Sequence, residues 1–183
     1  MTFYDKSKIE VLIDEQRLAE RVQQLGEMIT TQYADQGELV LIGVLKGSFL
    51  FLADLFRAIN LPVEVDFLGL SSYGDSQETS GIVRVTQDLS KPIEGKHVLV
   101  VEDIVDTGLT MQYLLENLST RKPASIRVAS LLHKPARSCV HVDIDYLGFE
   151  IPDRFVIGYG LDYESKFRNL PFIGVNLADG MPY

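Results

Sequence analysis

The stretch VLVVEDIVDTGLT, residues 98–110, decides the fold and points to the chemistry. Its first four residues are all apolar, which marks a strand covered by helices on both faces. That strand runs into two adjacent acids, Glu102 and Asp103, then a third, Asp106, and then Thr107-Gly108-Leu109-Thr110 at the opening of a helix over 111–118. Free N–H groups at a helix start, with hydroxyls and a glycine that lets the chain approach closely, form a cradle for an anion such as a phosphate monoester. Acids beside a phosphate repel it unless they hold a polyol's hydroxyls or a hard cation that also binds phosphate oxygens. Read alone, the same residues also fit an ordinary helix N-terminus, with Asp106 or Thr107 capping and the acids favoured by the helix dipole.

Working outward, residues 14–34 read as a helix capped by Asp14, with Leu18, Val22, Leu25, Met28, Ile29 and Tyr33 at near-helical spacing. LVLIGVL at 39–45 is a strand, 48–59 a helix with Ser48 as a candidate cap, and 63–70 the next strand. Two strands joined by a helix make a parallel crossover unit. Residues 71–81 carry turn formers and no apolar period, so they form a loop. Strands are expected at 82–86, 126–132, 142–147 and 155–160. Alternating strands and helices predict a doubly wound α/β fold, a mainly parallel sheet with helices on both faces. Ligands of such sheets bind at the carboxyl ends of the strands, here just after residues 45, 101, 132 and 160.

No repeat, low-complexity tract or linker divides the 183 residues, so one domain over 1–183 is expected. The amino-terminal segment is polar and acidic where a secretory leader needs a basic end and an apolar run, and no stretch has the length of a membrane span. A single cysteine, Cys139, excludes an internal disulfide framework or a zinc cluster built on thiolates. With 17 basic against 26 acidic residues the formal charge is −9, and no block of positive charge exists to follow a nucleic-acid backbone. A small phosphate ligand fits this balance better than a long polyanion.

The string 98–110 resembles the phosphoribosyl-diphosphate motif of the phosphoribosyltransferases. Four further segments narrow the resemblance to the hypoxanthine-guanine phosphoribosyltransferase family: VLKGS at 44–48, SSY at 71–73, LLHKP at 131–135, and GFEIPDRFVIGYGLDY at 148–163 with FRNL at 167–170. Together they span about residues 10–175. The resemblance implies a type I phosphoribosyltransferase fold with a small hood contributed by the termini and a lid loop at about 71–81. It implies transfer of ribose 5-phosphate from 5-phospho-α-D-ribose 1-diphosphate to hypoxanthine or guanine, giving IMP or GMP and diphosphate in purine salvage.

By the same resemblance, Glu102 and Asp103 bind the ribose hydroxyls and, with Asp162, a Mg²⁺ ion. Asp106, Thr107, Gly108, Leu109 and Thr110 wrap the 5-phosphate, with Leu109 contributing only main chain, and Asp106 is the general base near the purine N7. Lys134 offers only donors and so favours a 6-oxo group over adenine's amino group; without the family context a solvent-exposed lysine is the better reading. Phe155 stacks on the purine, Val156 and Asp162 meet its edge, and Lys46, Gly47 and Arg168 meet the diphosphate. Ser72 and Tyr73 are the lid's dipeptide. The peptide between Leu45 and Lys46 can be cis in this family. His133 is assigned no chemistry. The family assembles as dimers or tetramers, and a cytoplasmic location is expected. Two alternatives are a xanthine-preferring enzyme of the same fold and a nucleic-acid-binding regulator; the acidic balance and the retained Glu102, Asp103, Asp106 and Lys134 speak against the second.

Overall fold

The computed structural model describes residues 8–72 and 83–177. Along the chain lie β1 (Ile9–Ile13), α1 (Glu15–Tyr33), β2 (Leu39–Leu45), α2 (Phe49–Ala58), β3 (Val63–Ser72), β4 (Val83–Gln87), β5 (His97–Val105), α3 (Leu109–Ser119), β6 (Ser125–His133), a 3₁₀ turn (Pro135–Arg137), β7 (Tyr146–Glu150), β8 (Val156–Ile157) and β9 (Ile173–Asn176). Six strands form the main sheet in the order β4-β3-β2-β5-β6-β7. Every neighbouring pair is parallel except β3 with β4. A second, antiparallel sheet, β1-β9-β8, forms the hood.

The all-apolar strands are explained by two separate cores. Leu39 and Leu41 of β2 and Leu99 and Val101 of β5 pack with α1 and α2 on one face. Val40, Ile42 and Val44, with Val98 and Val100, pack with α3 on the other. The period-two alternation of each strand thus feeds both layers, and a fully buried aliphatic side chain stabilises by about 1.5–3 kcal/mol. The α1 stripe lands as its spacing requires, with Leu18, Val22, Leu25, Ile29 and Tyr33 buried, while Met28 is exposed. Asp14 caps that helix, accepting the Arg17 N–H at 2.8 Å. Gly26 admits α2: a Cβ there would lie 2.6 Å from Ala58 Cβ.

Four expectations from the sequence are corrected. The strand expected over 142–147 begins only at Tyr146, because Val142 and Ile144 pack onto the α3-side core as irregular chain. The strand expected over 155–160 is reduced to two residues and belongs to the hood. Positive φ angles at Gly158, Tyr159 and Gly160 end the extended backbone there. The central strand continues four residues past the expected end, so Glu102 and Asp103 lie inside β5 and not after it. Ser48 does not cap α2 through its side chain; its buried hydroxyl donates backward to Val44 O at 2.6 Å. The hood strands β1 and β9 carry no clear period in the sequence, since each is short and pairs only with another hood strand.

Candidate active site

Three neighbouring strands of the main sheet, β2, β5 and β6, end side by side at Leu45, Val105 and His133. The segments that follow them build the site. After β5 the chain turns through residues 106–108 into α3, whose N-cap is Gly108 with φ +84°. A Cβ at 108 would sit 2.7 Å from Val140 O, so the turn requires glycine both for conformation and for space. Thr107 O accepts the Cys139 and Val140 N–H groups at 2.9 and 3.2 Å, tying this turn to the chain beyond β6. A pocket of about 130 Å³ opens onto the turn, lined by Glu102, Asp106, Thr107, Gly108 and Thr110 among others. The Leu109 N–H donates to Thr107 Oγ1 at 3.4 Å, and the remaining N–H groups of the first α3 turn, with the Thr107 and Thr110 hydroxyls, make the pocket suited to a phosphate. Leu109 opens the helix with its side chain exposed. Capping is not what Asp106 does: its Oδ1 is buried and accepts no hydrogen bond, and Arg137 Nε lies 2.9 Å away in a charge contact without hydrogen-bond alignment.

Inside β5 the strand alternation sends Glu102 toward this pocket and Asp103 toward Gly47. Burial holds the Glu102 carboxyl well above the usual carboxylate range, and the adjacent Asp103 charge pushes it further; burial raises Asp103 as well. Neither acid is in a salt bridge with a basic side chain among the described residues. Such a pair, crowded and short of positive charge, fits a divalent cation with polyol hydroxyls. Among the described residues no three acids, histidines or cysteines converge into a closed metal cage. Mg²⁺ keeps its waters and binds through one or two carboxylates plus substrate phosphates, a demand that a carboxylate pair meets without a cage.

After β2 the Leu45–Lys46 peptide is cis, as the resemblance allows. A Cβ at position 47 would overlap the Asp103 carboxylate, and one at Gly160 (φ +102°) would overlap Gly47 O. The loop at Lys46-Gly47 is thus pressed between the β5 acids and the hood, and glycine is the residue that permits both contacts.

After β6, Lys134 is only 7% exposed, so the solvent-exposed reading is excluded. Its N–H donates to Val105 O at 3.1 Å and its Nζ lies 3.7 Å from Asp153 Oδ1. From the hood, Phe155 stands edge-on to Tyr163 at 5.8 Å, and Val156 is buried in β8. Asp162 accepts the Ser165 N–H at 2.8 Å and pairs with Arg168 at 2.6 Å, while Arg168 also donates to Gly160 O. Arg168 is therefore engaged within the hood turn and not free. Lys46, Gly47, Glu102, Asp103, Asp106, Lys134, Phe155, Val156, Asp162 and Arg168 nevertheless surround one cleft of about 590 Å³. Of the two residues expected in a lid, Ser72 ends β3, its side chain undescribed, and Tyr73 lies outside the described residues.

Two charged residues beside the cleft are absent from the sequence reading. Arg137 contacts Asp106, and Asp153 lies between Arg137 and Lys134, 3.7 Å from each. Arg137 sits three residues past Lys134 in a proline-initiated turn, a place where a surface arginine is equally common. Only the folded chain distinguishes the two.

Comparison with known proteins agrees with this geometry. Residues 11–164 match the family model described as a phosphoribosyl transferase domain. The hypoxanthine phosphoribosyltransferase of Haemophilus influenzae is 48% identical over 171 residues, covering 92% of this chain and 96% of that protein. The hypoxanthine-guanine phosphoribosyltransferase of Bacillus subtilis is 47% identical, covering 90% and 91%. Among solved structures, the Staphylococcus aureus hypoxanthine phosphoribosyltransferase superposes with a TM-score of 0.87 at 41% identity, covering 91% of this chain and 90% of that one. The Trypanosoma cruzi hypoxanthine phosphoribosyltransferase, solved as the ternary substrates complex of a point mutant, gives 0.85 at 44% identity, covering 91% and 94%. With motifs, topology and cleft in agreement, the chain belongs to the hypoxanthine-guanine phosphoribosyltransferase family, on the type I phosphoribosyltransferase fold.

Proposed function

We propose that this chain transfers ribose 5-phosphate from 5-phospho-α-D-ribose 1-diphosphate to hypoxanthine or guanine, releasing diphosphate, as a purine-salvage enzyme. The observation that carries the assignment is the meeting of the Glu102–Asp103 pair, the 106–110 turn and the buried Lys134 around a single cleft. The hard part of the reaction is positive charge growing at the anomeric carbon while a polyanion departs, so the protein must position, neutralise and exclude water.

In this reading the α3 N-terminus and the Thr107 and Thr110 hydroxyls hold the 5-phosphate. Glu102 and Asp103 accept the ribose hydroxyls and place negative charge beside the carbon that becomes cationic. One or two of Glu102, Asp103 and Asp162, together with substrate phosphates, would also hold Mg²⁺, whose contribution when bound is neutralisation of diphosphate charge. Arg168 leaves Asp162 to meet the diphosphate with the N–H groups of Lys46 and Gly47; its planar fork suits phosphate oxygens. Asp106 takes the proton from the purine N7, Lys134 donates to the 6-oxo group, Phe155 stacks on the ring, and Val156 supplies main-chain contacts at its edge. We also assign a dimer or tetramer and a cytoplasmic location. Phe49 and Phe56, exposed seven residues apart on one face of α2, support association, which sedimentation measures.

The test is a spectrophotometric assay of the full chain with the donor, Mg²⁺ and each of hypoxanthine, guanine, xanthine and adenine. Nucleotide is expected from hypoxanthine and guanine and not from adenine. No product from either base refutes the assignment, and a preference for xanthine replaces it with the xanthine-specific one.

A further inference from the structure

We propose that Arg137 is a positioning residue for the transfer, orienting the Asp106 carboxylate and, through Asp153, linking it to the purine-reading Lys134. The proposal rests on the reading of Asp106 as the general base. Its basis is the way two stretches of backbone bracket that residue. On one side of Asp106, Val105 O accepts the Lys134 N–H; on the other, Thr107 O accepts the N–H groups of Cys139 and Val140. The segment 134–140 is thereby laid along 105–107. Pro135 starts its single 3₁₀ turn, the Arg137 N–H returns to Lys134 O at 3.1 Å, and the Arg137 side chain comes to stand opposite Asp106.

Beside the cleft the charges then alternate as Asp106, Arg137, Asp153 and Lys134, with separations of 2.9, 3.7 and 3.7 Å. Arg137, Asp106 and Asp153 are 45%, 38% and 44% exposed, so salt and water screen these pairs and they contribute little to stability. Their consequence is orientation. Arg137 Nε lies against Asp106 Oδ1, which is buried and accepts no hydrogen bond, so the exposed part of the carboxylate side chain lies away from that oxygen. Without the guanidinium, no hydrogen bond from a described residue holds Oδ1 in its place. A base must sit within hydrogen-bond reach of the proton it takes, and small misplacements are costly. Because Asp153 contacts both cations, the base and the 6-oxo reader are joined in one charge network.

The experiment measures kcat, KM for hypoxanthine and for the diphosphate donor, and thermal midpoint for Arg137→Gln, Arg137→Lys, Asp106→Asn, Asp153→Asn and the double variant Arg137→Gln/Asp106→Asn. Arg137→Gln is expected to lower kcat about tenfold, with KM for the donor within about twofold, and Arg137→Lys to recover part of the loss. In the Asp106→Asn background the Arg137 change is expected to add nothing, since it acts through that carboxylate. Asp153→Asn is expected to lower kcat by a smaller factor and to raise KM for hypoxanthine. Unchanged kcat in Arg137→Gln while Asp106→Asn is impaired overturns the proposal alone, as does an equal loss in both backgrounds. A loss that tracks the thermal midpoint and is not recovered by lysine also overturns it. If Asp106→Asn itself turns over like the wild type, the base assignment fails first and this one with it.

Discussion

Replacing Lys134 by Met should separate what this buried cation does for function from what it does for stability, because the two effects have opposite signs. The Lys134 side chain is only 8% exposed, and its sole ion partner among the described residues, Asp153, is 3.7 Å away and 44% exposed. A buried ammonium held by one loose contact has lost its hydration for little return, and an apolar residue of similar length is neutral or stabilising in such places. Asp153 keeps water and Arg137 as partners, so losing the lysine strands no buried charge. The thermal midpoint is therefore expected to hold or rise. Binding of a 6-oxopurine, by contrast, loses the donor for its oxygen. An unpaired acceptor in a desolvated site costs about 1–3 kcal/mol, which at 1.4 kcal/mol per decade is a rise of about 5- to 150-fold in KM for hypoxanthine. Adenine presents an amino group to the same point and gains or stays equal, so the selectivity ratio falls by a similar factor. Steady-state kinetics with both bases, alongside a thermal melt, checks this. An unchanged KM for hypoxanthine shows that another group reads the 6-position, and a fallen midpoint shows that the lysine is structural.

Asp106→Asn is expected to lower kcat about a hundredfold, the scale of a lost general base, with donor affinity by calorimetry retained. Gly160→Ala combines a φ of +102° with a Cβ that would overlap Gly47 O; it should weaken donor binding and lower the thermal midpoint together, as measured by calorimetry and melting. Burial pushes the Tyr33 hydroxyl up to about 12, against about 10 in the unfolded chain. The folded state therefore holds the proton more tightly, so its advantage is complete below about pH 10 and is lost as pH rises from about 10 to 12, a total of roughly 2–3 kcal/mol. Denaturant titrations across that range should show a fall to which Tyr146 and Tyr159, also raised by burial, contribute, and Tyr33→Phe should make it shallower.

Most of the main sheet was legible in the residues themselves. Four- to seven-residue apolar runs such as 39–45 and 98–101 carry no alternation, and the reason is the pair of cores that β2 and β5 serve at once. The α1 stripe and the Asp14 cap were equally legible, because helical spacing and capping are local. The errors fell where tertiary packing overrode local pattern. Val142 and Ile144 look like alternate residues of a strand, yet they fill the α3-side core as loop. Residues 155–160 look extended, yet the close approach of Gly158 to Phe172 O and Gly160 to Gly47 O bends them into the hood. Among the site residues, those carried by a compact motif, Glu102 to Thr110, were found. Arg137 and Asp153 were not, since nothing in a lone arginine or aspartate distinguishes a charge that contacts a cleft residue from one that meets water.

The order of residues by itself determined that strands end in acids, hydroxyls and glycine, because the chemistry of those side chains is written within a dozen positions of one another. Only the folding of distant segments onto one sheet edge decided that Lys134 is dry, that Arg168 holds Asp162, and that Arg137 faces Asp106. Burial and charge contact depend on through-space distance, and distance between residues far apart in the chain exists only once the sheet order β2-β5-β6 and the hood have formed.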